Sequence, residues 1–234
     1  SMMEDEPVAA LKNETARCLM DAIDTTRISE RIPEDMLRKL REDIFVFSGC
    51  KSYHELKEAS QLLLDEEFRI KPFQRFRQDV LDIYPKYNQR YLEAEYEFAI
   101  ASSQTAAQWS ELTEQGDTYD LQYRTAGDDA VRPEHTRLDG VTLPASDSFW
   151  ASYMPPNGWR CRCSVRQVLA GKYVQTDHSR AIQLGEKATT DNDSLNRNRA
   201  EMFRFNPGLQ QVVFPPSHPY YRNVPEEVKN IANE

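Results

Sequence analysis

Only one of the eight glycines, Gly49, lies before residue 116, so the first half of this 234-residue chain has little of the residue that most readily interrupts helices. No stretch approaches the roughly 18 to 20 apolar residues that cross a bilayer, and the opening SMMEDEPVAALKNE has neither the basic start nor the apolar core of a signal peptide. A cytoplasmic origin and no membrane association are the expectation; Ser1, ahead of two methionines, is set aside as a cleavage remnant. Cysteine is sparse too. Cys18, Cys50, Cys161 and Cys163 are too few for a disulfide scaffold of this size and are read as reduced. Basic residues are outnumbered, 29 against 38 acidic, for a net charge of -9. That excludes a surface that binds nucleic acid throughout, though not local basic patches. No nucleophile elbow, phosphate-cradling glycine loop or H-E-x-x-H sequence occurs anywhere.

What is present first is helix. Pro7 suits a first turn, and Val8, Leu11, Ala16, Cys18, Leu19 and Ala22 trace one apolar face. A second helix is predicted from Pro33 through Met36, Leu37, Leu40 and Ile44, ending before a Ser48-Gly49 turn. Ser52 three residues ahead of Glu55 has the spacing of a capping box for the next helix, with Leu56, Ala59, Leu63 and Leu64 as its buried stripe. His54, in its first turn, reads as a surface residue. Pro72 and Pro85 are isolated interruptions. Tyr87, Tyr91, Ala94, Phe98, Ala101, Thr105, Trp109 and Leu112 recur every three or four residues, which predicts one helix over 87 to 112 serving as a packing spine.

Glycine then becomes frequent, and the pattern changes. Leu121, Tyr123 and Thr125 alternate with polar neighbours as in a half-buried strand. Pro133 to Asp139 predicts a short helix closed by Gly140, Val141 to Leu143 a second strand, and Ser146 the cap of a brief helix through Phe149 and Trp150. Pro155-Pro156-Asn157-Gly158 is a turn, and Trp159 to Val168 a third strand. Residues 186 to 200 read as a polar, mobile loop. Met202 to Tyr221, rich in aromatics and proline, must either clamp back onto the chain or contact a neighbouring subunit. The fold class is therefore α+β: a helical region over 1 to 115, a small α+β domain over 116 to 185, and an extension over 186 to 234.

In the third strand Trp159, Cys161, Cys163 and Val165 fall on one face and Arg160, Arg162, Ser164 and Arg166 on the other. No acidic residue occurs from Ser148 to Thr176, so the arginine face either binds phosphate or meets the acidic run of Asp128, Asp129, Glu134 and Asp139. Two thiolates at i and i+2 can reach one metal, with His135 as a third ligand for tetrahedral zinc and Asp139, Asp147 or His178 as a fourth. Alternatively both cysteines fill a core beside Trp159, or one serves as a thiol nucleophile paired with His135.

The run Tyr123-Arg124-Thr125-Ala126-Gly127-Asp128-Asp129-Ala130-Val131-Arg132-Pro133-Glu134-His135, with Leu138-Asp139-Gly140, Asp147-Ser148-Phe149-Trp150 and Pro155 through Cys163, resembles the phage Mu protein F-like minor head family. The lead-in from Tyr91 to Tyr96 and on to Trp109 resembles that family's N-terminal part. The resemblance implies a non-enzymatic role in head morphogenesis, with portal and major capsid proteins as partners, occasional contact with DNA, and a place in the virion head after assembly in the host cytoplasm. It also singles out Arg124, Asp128, Asp129, Arg132, Asp139, Trp150, Trp159, Arg160 and Arg162 as motif residues. It recurs at His135, Cys161 and Cys163 without establishing a metal. The rival is a zinc- or thiol-dependent hydrolase or nuclease acting on packaged DNA; a zinc-stabilised binding module lies between the two.

Overall fold

The structure, a computed structural model, describes residues 6–24, 30–113 and 118–230. Gly116 and the change of texture around it lie outside the described residues. Two helices open the chain, α1 (Glu6–Asp24) and α2 (Glu34–Gln61), followed by α3 (Phe73–Pro85) and α4 (Leu92–Thr113). A six-residue π-helical segment, Lys86–Tyr91, joins α3 to α4 without a break. Pro85 precedes it, and a residue without an N–H removes one rung of the α-helical ladder, which favours a local change of register. The wider turn carries Tyr91 off the predicted stripe, and it is exposed while Tyr87, Phe98, Thr105 and Leu112 are buried.

The expected Ser48-Gly49 turn is absent, because α2 runs through it as one 28-residue helix. Met36, Leu40, Ile44 and Phe47 continue into Cys50 and Lys51 on one buried face. Gly49 lies inside the helix facing Val228, and Ser48 Oγ donates back to the Ile44 carbonyl at 2.8 Å instead of starting a turn. Ser52 and Glu55 are therefore buried mid-helix residues and not a capping box.

The sheet has three antiparallel strands in the order β2-β1-β3: β1 (Tyr119–Arg124), β2 (Thr142–Pro144) and β3 (Ser164–Leu169). Leu121 pairs with Leu143 on one side and Gln167 on the other, and Tyr123 pairs with Val165. Because β1 is central, Asp120 to Tyr123 are all buried, and the expected half-exposed alternation does not occur there. Between the strands lie α5 (Pro133–Thr136) and α6 (Phe149–Tyr153). Gly140, at φ +83, closes the α5 turn and donates its N–H to the Tyr123 carbonyl. The α6 start is capped by the Asp147 carboxylate, which accepts from Phe149 N at 2.8 Å, and not by Ser146.

The third strand begins five residues later than predicted. Trp159 and Arg160 form a turn, with Arg160 at φ 58 and Cys161 N donating to the Gly158 carbonyl. Alternating burial nevertheless holds from Cys161 through Arg166. The stretch beyond β3 contains an unanticipated helix, α7 (His178–Ala188), capped by Asp177. Its buried face is Ala181, Leu184, Gly185 and Ala188. The following loop is held rather than loose: Asp193 accepts from Leu195 N, Arg197 N and the Arg197 guanidinium, which keeps its carboxyl near 2.

Two large apolar clusters organise the molecule. One joins α1, α2 and α4 to Phe203, Phe205, Val213 and Phe214, so the aromatic segment clamps back onto the N-terminal helices. Short turns there include α8 (Pro207–Gln210) and α9 (Glu226–Asn230). The other cluster packs the sheet, α6 and α7 around Tyr123, Phe149 and Trp150. Among the described residues no helix is long and apolar enough to cross a membrane.

Candidate metal centre

His135 sits in the single turn of α5, started by Pro133, and is buried at 2 % exposure. Its Nδ1 lies 3.7 Å from Cys161 Sγ and 3.6 Å from Cys163 Sγ. All three donor atoms are within 4.8 Å of one another. The residues meet because the Gly158 turn brings the chain into β3 directly beside α5. Arg132, just before α5, donates to the Trp159 carbonyl at 2.7 Å, and its guanidinium passes where a Cβ on Gly158 would stand, at 3.0 Å. A side chain at that position would crowd the Arg132 guanidinium.

The two thiols are not equivalent. Cys161 is held well below the usual thiol range by hydrogen bonding from the Cys163 thiol and from His135, against the effect of burial. Cys163 is pushed up by the neighbouring Cys161 sulfur and by burial. Tyr123, paired opposite Val165, is fully buried behind them and donates its hydroxyl proton to Asn157 Oδ1 at 2.8 Å.

The three residues line an open groove of about 1120 Å³ between α4 and the segments carrying Ala130–His135 and Arg160–Ser164. Its charged rim is internally paired. Arg162 makes a two-pronged contact with Asp128 at 2.6 and 2.7 Å, which lowers the Asp128 carboxyl. Arg160 reaches Glu93 at 2.9 Å and Glu97 at 3.5 Å, and Arg31 reaches Glu111 at 2.8 Å. Arg166 donates to Gln122 Oε1. Of this face only Arg162 meets the predicted acidic run; Arg160 turns to the carboxylates of α4 and Arg166 to the Gln122 amide. These exposed pairs hold geometry more than they add stability.

Of the other motif residues, Arg124 pairs with Asp139 at 3.3 Å, and Asp139 also accepts from Thr125 N. Asp129 is exposed. Trp150 is fully buried and donates Nε1–H to the Pro144 carbonyl at 3.0 Å. Trp159 does not share the cysteine face: it packs edge-on against Phe98, Phe203 and His218 in the other apolar cluster. The proposed fourth ligands lie elsewhere as well, since Asp147 pairs with His178 at 2.9 Å and Asp139 with Arg124.

Some contributors to the site carry no signal in local sequence. Gln104 and Gln108 line the groove from α4, and Gln108 Nε2 donates to the Val165 carbonyl at 2.6 Å, fastening the helix to β3. Asn157 reads only as a turn residue until Tyr123 is placed against it.

Residues 64–166 match the family model described as Phage Mu protein F like protein. The matched range contains His135, Cys161 and Cys163. A relative from Escherichia phage Mu, described as "Putative capsid assembly protein F", is 34% identical over 84 residues, covering 36% of this chain and 19% of the relative. The chain thus spans about a fifth of that relative's length. No solved structure matches.

Proposed function

Residues 64–166 of this chain form a phage Mu protein F-like region, and from that premise we propose that the protein acts in phage head assembly by binding other head proteins, the portal protein first and the major capsid protein second. The observation that carries the reading is the family match together with its capsid-assembly relative. The surface is consistent with it. Leu64, Phe68 and Ile70, between α2 and α3, and Phe73, the first residue of α3, are exposed at 41%, 84%, 74% and 74%. Side chains of that size left in water along one short stretch of chain offer apolar area that assembly would remove from solvent. The pairing of the groove arginines with carboxylates argues against a continuous phosphate-binding surface, and the net charge of -9 points the same way.

The test is co-expression with the portal protein of the same phage, followed by affinity capture through the portal and gel filtration. The expected result is a complex containing both chains that persists at physiological salt. Separate elution at micromolar concentrations of both proteins, with each chain folded by circular dichroism, would remove the portal as partner.

A further inference from the structure

We propose that His135 Nδ1, Cys161 Sγ and Cys163 Sγ bind one zinc ion, and that this ion staples α5 to the entry of β3. The argument begins with distances. Zinc at about 2.3 Å from sulfur and about 2.0 Å from nitrogen in tetrahedral geometry places each sulfur roughly 3.5 Å from the nitrogen. The two S···N separations are 3.6 and 3.7 Å. Both donor pairs therefore already stand within about 0.2 Å of the spacing of a shared metal.

Hydrogen bonding alone accounts for this less well. An imidazole Nδ1 has a single lone pair or a single proton, so it forms one full hydrogen bond and not two to equidistant sulfurs. A metal at the centre of the triangle satisfies all three donors together. The donor set selects the ion: two thiolates and an imidazole suit zinc and not the oxygen-seeking magnesium or calcium. Among the described residues no other His, Cys, Asp or Glu joins the cluster. All three ligands line the groove, which leaves the fourth position to water.

The staple has a mechanical purpose. Only the far end of residues 125–141 is anchored in the core, through Leu138, Val141 and the backbone bonds of Gly140 and Val141 to Tyr123; residues 125–134 are held by exposed ion pairs and lead into the one turn of helix that carries His135. Small units of this kind gain order from a metal that joins segments distant in sequence, because the ion binds the folded geometry and not the unfolded chain.

Metal analysis of the full chain, desalted after equilibration with zinc chloride, should return about one zinc per chain. Cys18→Ser should keep that stoichiometry, and a Cys161→Ser/Cys163→Ser double variant should lose it. Removing zinc with a chelator should lower the melting temperature of the unaltered chain, and re-addition should restore it. Should the double variant fail to fold, alkylation of the unaltered chain decides. Zinc should slow modification of Cys161 and Cys163 but not of Cys18, as read by peptide mapping. No retained zinc, equal zinc in the folded double variant, or identical alkylation with and without zinc would each overturn the proposal.

Discussion

Asp43 shows how a single residue can depend on partners far away in sequence. Its carboxylate accepts from Val213 N at 2.8 Å and Phe214 N at 2.9 Å, and Tyr221 donates to it at 3.3 Å. Enclosure by these groups raises its carboxyl to about 6, burial outweighing the hydrogen bonds that favour the charged form. The sign follows directly. The folded chain holds a proton on Asp43 that the unfolded chain has released between about pH 4 and 6, so this residue makes stability fall as pH rises through that window and is constant above it. Asp43→Asn removes the titration while keeping an oxygen for the two backbone donors. Urea midpoints measured at pH 4.5 and 7 should therefore drop more for the unaltered chain than for the variant; parallel changes would contradict the assignment. Beside Ile44 in a helical stripe, Asp43 looks like an ordinary surface acid, because its partners lie some 170 positions later.

Among the elements, α2 separates local propensity from packing. A glycine inside a helix interior costs about 0.5 to 1 kcal/mol relative to alanine, and that local cost made Ser48-Gly49 look like a turn. The helix continues because its buried face continues, through Phe47 to Cys50 and Lys51, the last paired with Glu95 of α4 in an almost fully buried ion pair. The nearest atom to a Cβ on Gly49 would be the Val228 carbonyl oxygen at 3.6 Å, ordinary contact. Gly49→Ala should thus stabilise the chain by about 0.5 to 1 kcal/mol. Gly208→Ala should do the opposite, since its Cβ would fall 2.3 Å from Trp109 Cβ. A loss of about 1 to 3 kcal/mol is the expected scale for forcing such a core contact apart. Chemical denaturation of the two variants checks both signs.

At the scale of the whole molecule, the segment from Phe203 to Phe214 belongs structurally with α1, α2 and α4. Phe214 stacks on Phe47 with ring centroids 3.7 Å apart, and Phe203 and Phe205 pack against Phe98. Removing everything after Ala200 strips Phe203, Phe205, Val213 and Phe214 from that core. At about 1.5 to 3 kcal/mol per large side chain, the loss is roughly 6 to 12 kcal/mol, comparable with the entire stability of a typical domain. The truncated chain should aggregate or show no cooperative melt by circular dichroism, whereas a free C-terminal arm made for a neighbouring subunit would leave the helices intact.

The sequence by itself determined the helical first half, the α+β second half, the strand around Tyr123, a short helix carrying His135, which the structure trims from Pro133–Asp139 to Pro133–Thr136, and the thiol pair at Cys161 and Cys163. Each of these is written in short-range periodicity, proline and glycine placement, or i to i+2 spacing. Tertiary structure decided the rest. It kept α2 whole through Gly49, delayed β3 until Ser164, sent Trp159 to the opposite cluster from the cysteines, and folded the aromatic tail onto α2 and α4. Those outcomes depend on which surfaces are available to bury apolar area and on partners up to 178 positions apart. His135, Cys161 and Cys163 mark the boundary between the two: their chemistry is legible along the chain, but the 3.6 and 3.7 Å separations exist only because the Gly158 turn lays β3 beside α5.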